Sequence, residues 1–320
     1  AQTQNFGKSL STAFFIMGEK TKHYILLHII IIMWGFTGIL GKLIPLDSLY
    51  IVWYRVLIAF VVIGGLIIFL KRPYKLNSKK ELLQLTIVGC VVGLHWLTFY
   101  ISIQLSTASF GVLCISTATF HVSWLEPLIM KRPFSWIEFG LSLIVIFGIY
   151  YVCGDFTTMD IMALFYGLLS GFLAALFAVY NAKLVNTMTP LKITLYEMLA
   201  AFILLTLIIL YQGKMNSAVF NIDGTAIFWL LFLGVFCTAF AFYAIVDVVK
   251  HLGAYTVALS INLEPIYTFI LAIFILNEHE VLNTRFYVGA LIIVLVLILN
   301  AFVKSMIKRK NKRLNNLTPS

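Results

Sequence analysis

Charge is what this sequence has least of. Of its 320 residues only 11% are charged and 13 are acidic, whereas 61% are hydrophobic and the mean hydropathy is +0.99. Soluble domains carry about 25% charged and about 45–50% apolar residues. So little polar surface cannot cover a water-soluble globule of this length, so the solvent is lipid. Long polar stretches are missing as well, and no connection between apolar runs has room for a soluble catalytic domain. The four cysteines, Cys90, Cys114, Cys153 and Cys237, fall in four different runs, which speaks against a disulfide framework and for small apolar packing residues. There is no GxxxxGK[ST] loop to drive the protein with ATP and no HExxH or comparable spacing, so no metal, cofactor or catalytic residue is expected. Residues 24–40 are too long an apolar run for a signal peptide, and no small-residue cleavage site precedes Lys42.

What is there is a series of long apolar runs. A helix crossing a hydrocarbon core of roughly 30 Å needs about 20 mostly apolar residues. Ten such spans are predicted, near residues 24–43, 50–70, 82–103, 106–130, 136–153, 161–182, 193–212, 226–248, 253–277 and 285–303. Pro45 with Asp47, Lys71-Arg72-Pro73, Lys131-Arg132-Pro133, Gly154-Asp155, Pro190, Gly213-Lys214, Asp223-Gly224 and Asn277 to Glu280 punctuate them. The expected fold is an all-α integral membrane protein. An even number of spans puts both termini on one face. Assigning that face to the cytoplasm places 19 of the 23 Lys and Arg there, against Lys42, Lys214 and Arg285 on the other and Arg55 within a span. Basic loops stay cytoplasmic, so the chain is expected in the plasma (inner) membrane with both termini inside. The net charge of +10 then reflects topology and attraction to lipid headgroups, not nucleic-acid binding.

The chain also repeats itself. Ile51, Tyr54, Leu57, Ala59 and Phe60 in span 2 match Ile193, Tyr196, Leu199, Ala201 and Phe202 in span 7 at one constant offset. Leu105-Ser106-Thr107-Ala108 aligns with Leu252-Gly253-Ala254-Tyr255, and Gly140 with Gly289. The unit is five helices: a first repeat over 22–155 and a second over 156–305, flanked by an N-terminal cytoplasmic segment (1–21) and a basic, disordered cytoplasmic tail (306–320). Because five is odd, the second repeat starts from the face opposite the first. Two inverted five-helix repeats are the construction of alternating-access carriers with a site near the midplane.

On particular residues the sequence resembles the ten-helix drug/metabolite transporters of the EamA type. These are Trp34-Gly35 with Gly41-Lys42, Tyr54-Arg55, the Leu105-to-Ala108 turn, and Leu263-Glu264-Pro265 followed by Glu278. The family pattern has a Pro where this alignment gives Ala118 and a Glu where it gives Lys131, so the first-half hairpin has diverged. The resemblance implies a carrier of small metabolites, often an exporter of amino acids or related compounds, with a central cavity lined by helices 1 to 4 and 6 to 9.

Ionisable groups inside spans cost several kcal/mol unless they face a cavity or a partner. Glu264 lies mid-span 9 before Pro265, whose missing N–H frees the carbonyl near Ile261 and kinks the helix. Solvated, this carboxylate suits an ammonium group; kept from water, it suits proton coupling. The plain alternative is a protonated carboxyl packed beside a proline. Arg55 and Glu197 occupy repeat-related positions in spans 2 and 7, read either as coupling or gating residues or as snorkelling side chains. Glu264 and Pro265 belong to the same coupling or gating set. His95 and His121, in spans 3 and 4, are packing residues or share a cavity. Together with Trp34, Tyr100, Tyr243, Asn262 and Glu264 they form the expected substrate-binding set, an amphipathic lining for a small molecule. Gly89xxxGly93 and Gly167xxxGly171 read as internal packing seams. Spans 5 and 10 have almost no polar residues and read as the lipid-facing periphery and the surface of any homodimer.

The function expected is therefore a secondary transporter of a small metabolite. The alternatives are a lipid or lipid-headgroup flippase, which uses the same architecture, and, on fewer grounds, an intramembrane enzyme acting near Glu126, Glu197 and Asp247. A channel would need repeated polar rings that the spans do not supply.

Overall fold

The computed structural model describes residues 2–153, 158–216, 219–220, 222–252 and 254–317, so the Gly154-Asp155 turn lies outside the described residues. No strand occurs among them. Eight segments are long and apolar enough to cross a membrane, and two shorter apolar helices complete ten. In chain order these are α1 (Gln2–Leu43), α2 (Ser48–Phe69), α3 (Lys79–Leu105), span 4 as α4 (Ala108–Ile115) and α5 (Ala118–Met130), α6 (Trp136–Val152), α7 (Thr158–Leu184) and α8 (Pro190–Tyr211). Span 8 follows as α9 (Gly224–Leu231), a π-helical stretch Phe232–Phe240 and α10 (Ala241–Leu252), then span 9 as α11 (Ala254–Ile261) and α12 (Glu264–Leu276), and finally α13 (Thr284–Leu317). Helix α13 runs on through most of the tail predicted to be disordered. After Gly289 no Gly or Pro interrupts it before Pro319, and Lys and Arg are good helix formers.

Caps set where the helices start. Asp47, Ser78, Thr107, Ser135 and Asp223 each accept a backbone N–H of the first turn, taking up donors that have no intrahelical partner. Lys131 (φ 55°) and Asn277 (φ 53°) end α5 and α12 in the left-handed conformation, a common helix stop.

Packing follows the repeat. Span 1 lies on span 9 as span 6 lies on span 4; span 2 lies on span 8 as span 7 lies on span 3; span 1 touches span 8 as span 6 touches span 3. Spans 2 and 7 pack together, and so do spans 5 and 10. Gly89 meets the backbone of Glu197 so closely that a Cβ there would stand 2.6 Å from the Glu197 carbonyl oxygen, and Gly234 approaches Ile58 and the carbonyl of Arg55 in the equivalent crossing. Gly167 and Gly171 of α7 lie against Cys114 and Thr117, where span 4 is broken. Both glycine pairs are thus seams between helices of one chain. At the periphery Gly148 of α6 and Gly289 of α13 cross closely, while Phe147, Tyr150, Leu295 and Leu299 stay exposed.

Setting α4 on α11 and α5 on α12 matches their bounds residue for residue. This corrects the alignment read from identities by one position: Ala118 corresponds to Glu264, and Arg132, not Lys131, corresponds to Glu278. Identities around the turns set the first register; the lengths of the helix halves set the true one.

Candidate functional site

Both repeats carry a helix that stops and restarts midway. Span 9 breaks at Asn262–Leu263, and Pro265 sits in the first turn of α12, the position where a missing N–H costs nothing. Sequence predicted a kink; the structure has two separate helices. Span 4 breaks equivalently at Ser116–Thr117 without any proline. There Thr117 Oγ1 donates to the Cys114 carbonyl at 2.7 Å and Thr119 Oγ1 to that of Ser116 at 2.8 Å, so hydroxyls serve carbonyls that a continuous helix would have used. The π-helical stretch of span 8 has the same cause: Thr238 Oγ1 donates to the Leu233 carbonyl five residues back, at 2.9 Å.

Arg55 reaches the middle of the bundle from α2 and is buried. Its guanidinium carbon stands 3.8 Å from the centroid of the Trp96 ring, a cation–π contact. Its Nε donates to Thr238 Oγ1 at 3.0 Å. Tyr100 and Glu264 lie within electrostatic reach, and Nη1 has no hydrogen-bond partner among the described residues. A buried guanidinium nitrogen without an acceptor is costly, and it leaves a donor free for an anionic group. Spans 2, 3, 8 and 9 thus bring Arg55, Trp96, Tyr100, Thr238 and Glu264 together.

The other expected site residues divide into two kinds. Tyr100 is fully buried and donates to the Thr37 carbonyl at 3.1 Å. His95 is buried with Nδ1 against the Ser170 hydroxyl at 2.9 Å and carbonyl at 3.0 Å, tying span 3 to span 6. Trp34, His121, Asn262 and Glu264 are half-buried, and Tyr243 is exposed. His121 is ringed by Phe120, Trp124 and Phe172, and Trp34 packs against Phe242. Glu197 is buried. Its Oε2 faces only the Asn181 amide at 3.4 Å and its Oε1 has no hydrogen-bond partner among the described residues.

The two faces of the molecule differ. On the face opposite the termini, Glu278 Oε1 accepts from the Ala108 N–H at 2.7 Å and Oε2 from the Ser109 N–H at 3.0 Å. A carboxylate thus caps the N-terminus of α4, where the helix dipole is positive. Lys42 Nζ donates to the Ser106 carbonyl at 2.6 Å, and Gln104 Nε2 donates to that of Leu46 at 2.7 Å. Behind these bonds the core is continuous, with Ile39, Phe99, Tyr100, Val112 and Ala272 in one cluster. A cavity of about 590 Å³ lies outside this layer, with Lys42, Thr107, Glu278 and Asn283 on its wall.

On the face that carries the termini the core is split. One cluster is built from spans 1, 8 and 9 around Ile31, Ala244 and Val257. Another is built from spans 4 and 6 around Leu125, Ala175 and Val179. The counterpart of the α4–α12 contact, α5 against α11, is weaker than it among the described residues. Arg132, at the position corresponding to Glu278, turns back into its own hairpin, 2.8 Å from Glu126 and 3.2 Å from Glu138. A guanidinium has only donors and cannot cap a helix N-terminus.

Two residues escaped sequence reasoning. Thr238 became visible only through its contact with Arg55, since nothing local marks it. His28, which bonds Tyr267 Oη at 2.8 Å across spans 1 and 9, stood in a run too apolar to attract notice.

A model of the family described as EamA-like transporter family matches residues 21–154 and again 161–302. An Archaeoglobus fulgidus protein named an uncharacterized transporter is 26% identical over 268 residues, covering 81% of this chain and 91% of its own length. A solved crystal structure superposes with a TM-score of 0.61 over 91% of this chain and 98% of its own at 12% identity, a likeness of fold alone.

Proposed function

We propose a transport mechanism on one premise: the chain belongs to the EamA-like transporter family, and it is a multi-pass membrane transporter. In our reading it moves an amino acid or related amphipathic metabolite out of the cell by alternating access, with both termini in the cytoplasm. The observation that carries this reading is the asymmetry of the two faces around Arg55 and Glu264. A bundle knitted shut on one side and split on the other is what a carrier adopts when its site is open to one compartment.

The unpartnered Nη1 of Arg55 suits a substrate carboxylate, and Trp96 and Thr238 hold the guanidinium in place for it. Glu264 suits the ammonium group of the same molecule, or a proton exchanged for it. We assign Trp34, His121, Tyr243 and Asn262 to the wall of the opening on the split side, an amphipathic lining for the rest of the substrate. His95 and Tyr100 position this wall through their bonds to spans 6 and 1. The breaks at Ser116–Thr117 and Asn262–Leu263 and the turn at Pro265 are the hinges about which the half-helices rock. Glu197 is the gating counterpart of Arg55 on the cytoplasmic side.

The test is uptake of labelled amino acids by proteoliposomes, with and without a pH gradient, preceded by a thermal-shift screen in which a ligand raises the melting point. Arg55→Ala and Glu264→Ala are expected to abolish transport while leaving the protein folded. Wild-type rates in both variants would overturn the reading.

A further inference from the structure

Outside the transport pathway, on the face that carries the termini, two histidines and an aspartate converge. Asp247 and His251 lie one turn apart on the same side of α10, and His23 reaches them from α1. His23 Nε2 stands 3.3 Å from Asp247 Oδ2, and His251 Nδ1 3.6 Å from Asp247 Oδ1. The two imidazoles stack with centroids 3.8 Å apart and planes 20° from parallel. One ligand atom from each residue falls within 4.8 Å of those of the other two.

We propose that His23, Asp247 and His251 bind one divalent cation of the zinc, nickel or cobalt type, fastening span 1 of the first repeat to span 8 of the second. Ligands at about 2.1 Å from a tetrahedral zinc ion stand about 3.4 Å apart, and the His23–Asp247 separation already has that length. The His251 Nδ1–H donates to the Asp247 carbonyl at 2.9 Å, so Nε2 is the nitrogen of this ring that carries the lone pair. Two nitrogens and one carboxylate oxygen suit borderline metals, and three protein ligands leave a fourth position for water. Binding turns the two rings out of this stack, because each imidazole lone pair lies in its own ring plane and one ion cannot lie in both of two near-parallel planes. Asp247 and His251 are open to solvent, with side chains 55% and 43% exposed, so an ion has a path in. No spacing rule reveals such a site, because its first ligand comes from the opposite end of the chain.

The experiment uses the full chain in detergent, purified without a metal-affinity tag, stripped with EDTA and titrated with ZnCl₂ against a chromogenic chelator. One zinc per chain and a zinc-dependent rise in melting temperature are expected. His23→Ala, Asp247→Asn and His251→Ala should each weaken binding at least about tenfold and abolish the rise, while His279→Ala should change neither. Should a variant fold poorly, zinc on the wild-type protein must still protect His23 and His251 from diethyl pyrocarbonate. Absence of stoichiometric zinc, equal binding by the three variants, or unprotected histidines would each overturn the proposal.

Discussion

At the face opposite the termini the residue after the left-handed turn is Glu278, and it locks the hairpin of spans 9 and 10 onto the start of α4. At the face that carries the termini the corresponding residue is Arg132, and it folds back onto Glu126 and Glu138. Both hairpins leave their first helix through a left-handed residue, though the connection is 131–135 in one and 277–283, with a 3-10 turn at Glu278–Glu280, in the other; the charge after that residue is reversed. On the proposed mechanism a pseudo-symmetric carrier with one lock has unequal end states and rests with its locked face shut. Spans 2 and 7 repeat the lesson deeper in the bundle. Arg55 is held by Trp96 and Thr238, whereas the Glu197 carboxyl, its counterpart, has the Asn181 amide as its one side-chain hydrogen-bond partner among the described residues. Gly93 and Ala241, which correspond to Thr238 and Trp96 once Gly89 is set on Gly234, offer Glu197 neither a hydroxyl nor a ring.

The comparison can be broken most severely at its centre. Arg55→Ala removes the charge poised over Trp96 and is expected to reduce transport by about 100-fold or more, since lost charged hydrogen bonds cost roughly 1.5–3 kcal/mol each. Arg55→Lys, which keeps the charge but not the fork of donors, should recover part of it. Substrate-dependent melting shifts and proteoliposome uptake measure both.

Next in size is the lock itself. Glu278→Ala forfeits two charge-assisted bonds and should shift the balance toward an open opposite face by roughly 30-fold. A thiol introduced as Ala272→Cys, at a fully buried position, should then react faster with an impermeant maleimide, while Glu278→Gln gives an intermediate rate. A smaller change is expected from Arg132→Glu, which offers the terminal face a carboxylate of its own. It should slow labelling of Tyr243→Cys about three- to tenfold, because a carboxylate at a helix N-terminus contributes up to about 2 kcal/mol.

The smallest effects sharpen the packing half of the comparison. Gly89→Ala drives a methyl group into the Glu197 backbone and should cost about 1–3 kcal/mol. Gly65→Ala, with nothing within 4 Å of its new Cβ, should be neutral or slightly stabilising. Thermal unfolding in detergent distinguishes the two.

Much of this architecture was legible because lipid imposes a simple code. Ten apolar runs, short punctuated turns and one constant offset between spans 2 and 7 were enough to reach an all-helical membrane fold built from repeats. The break in span 9 announced itself through Pro265. The break in span 4 did not, because Ser116, Thr117 and Thr119 achieve with hydroxyl groups what a proline makes visible. The one-residue slip had the same root: identities near turns are weaker markers of register than the helix halves, whose lengths only the folded chain displays. Arg55 and Glu264 stood out because charge in lipid always needs an explanation. Their neighbourhood did not, since Trp96 and Thr238 are unremarkable in a chain so rich in aromatic and small residues. The lock was half legible: Glu278 was noted in a motif, but its partners are backbone N–H groups, which no sequence pattern records.

The most direct test is a charge exchange, Glu278→Arg combined with Arg132→Glu, read by thiol labelling at both faces in the same membranes. If the single lock sets which face is shut, the exchange should raise labelling of Ala272→Cys and lower that of Tyr243→Cys together. Labelling that stays as in the unexchanged protein at both positions would contradict the account.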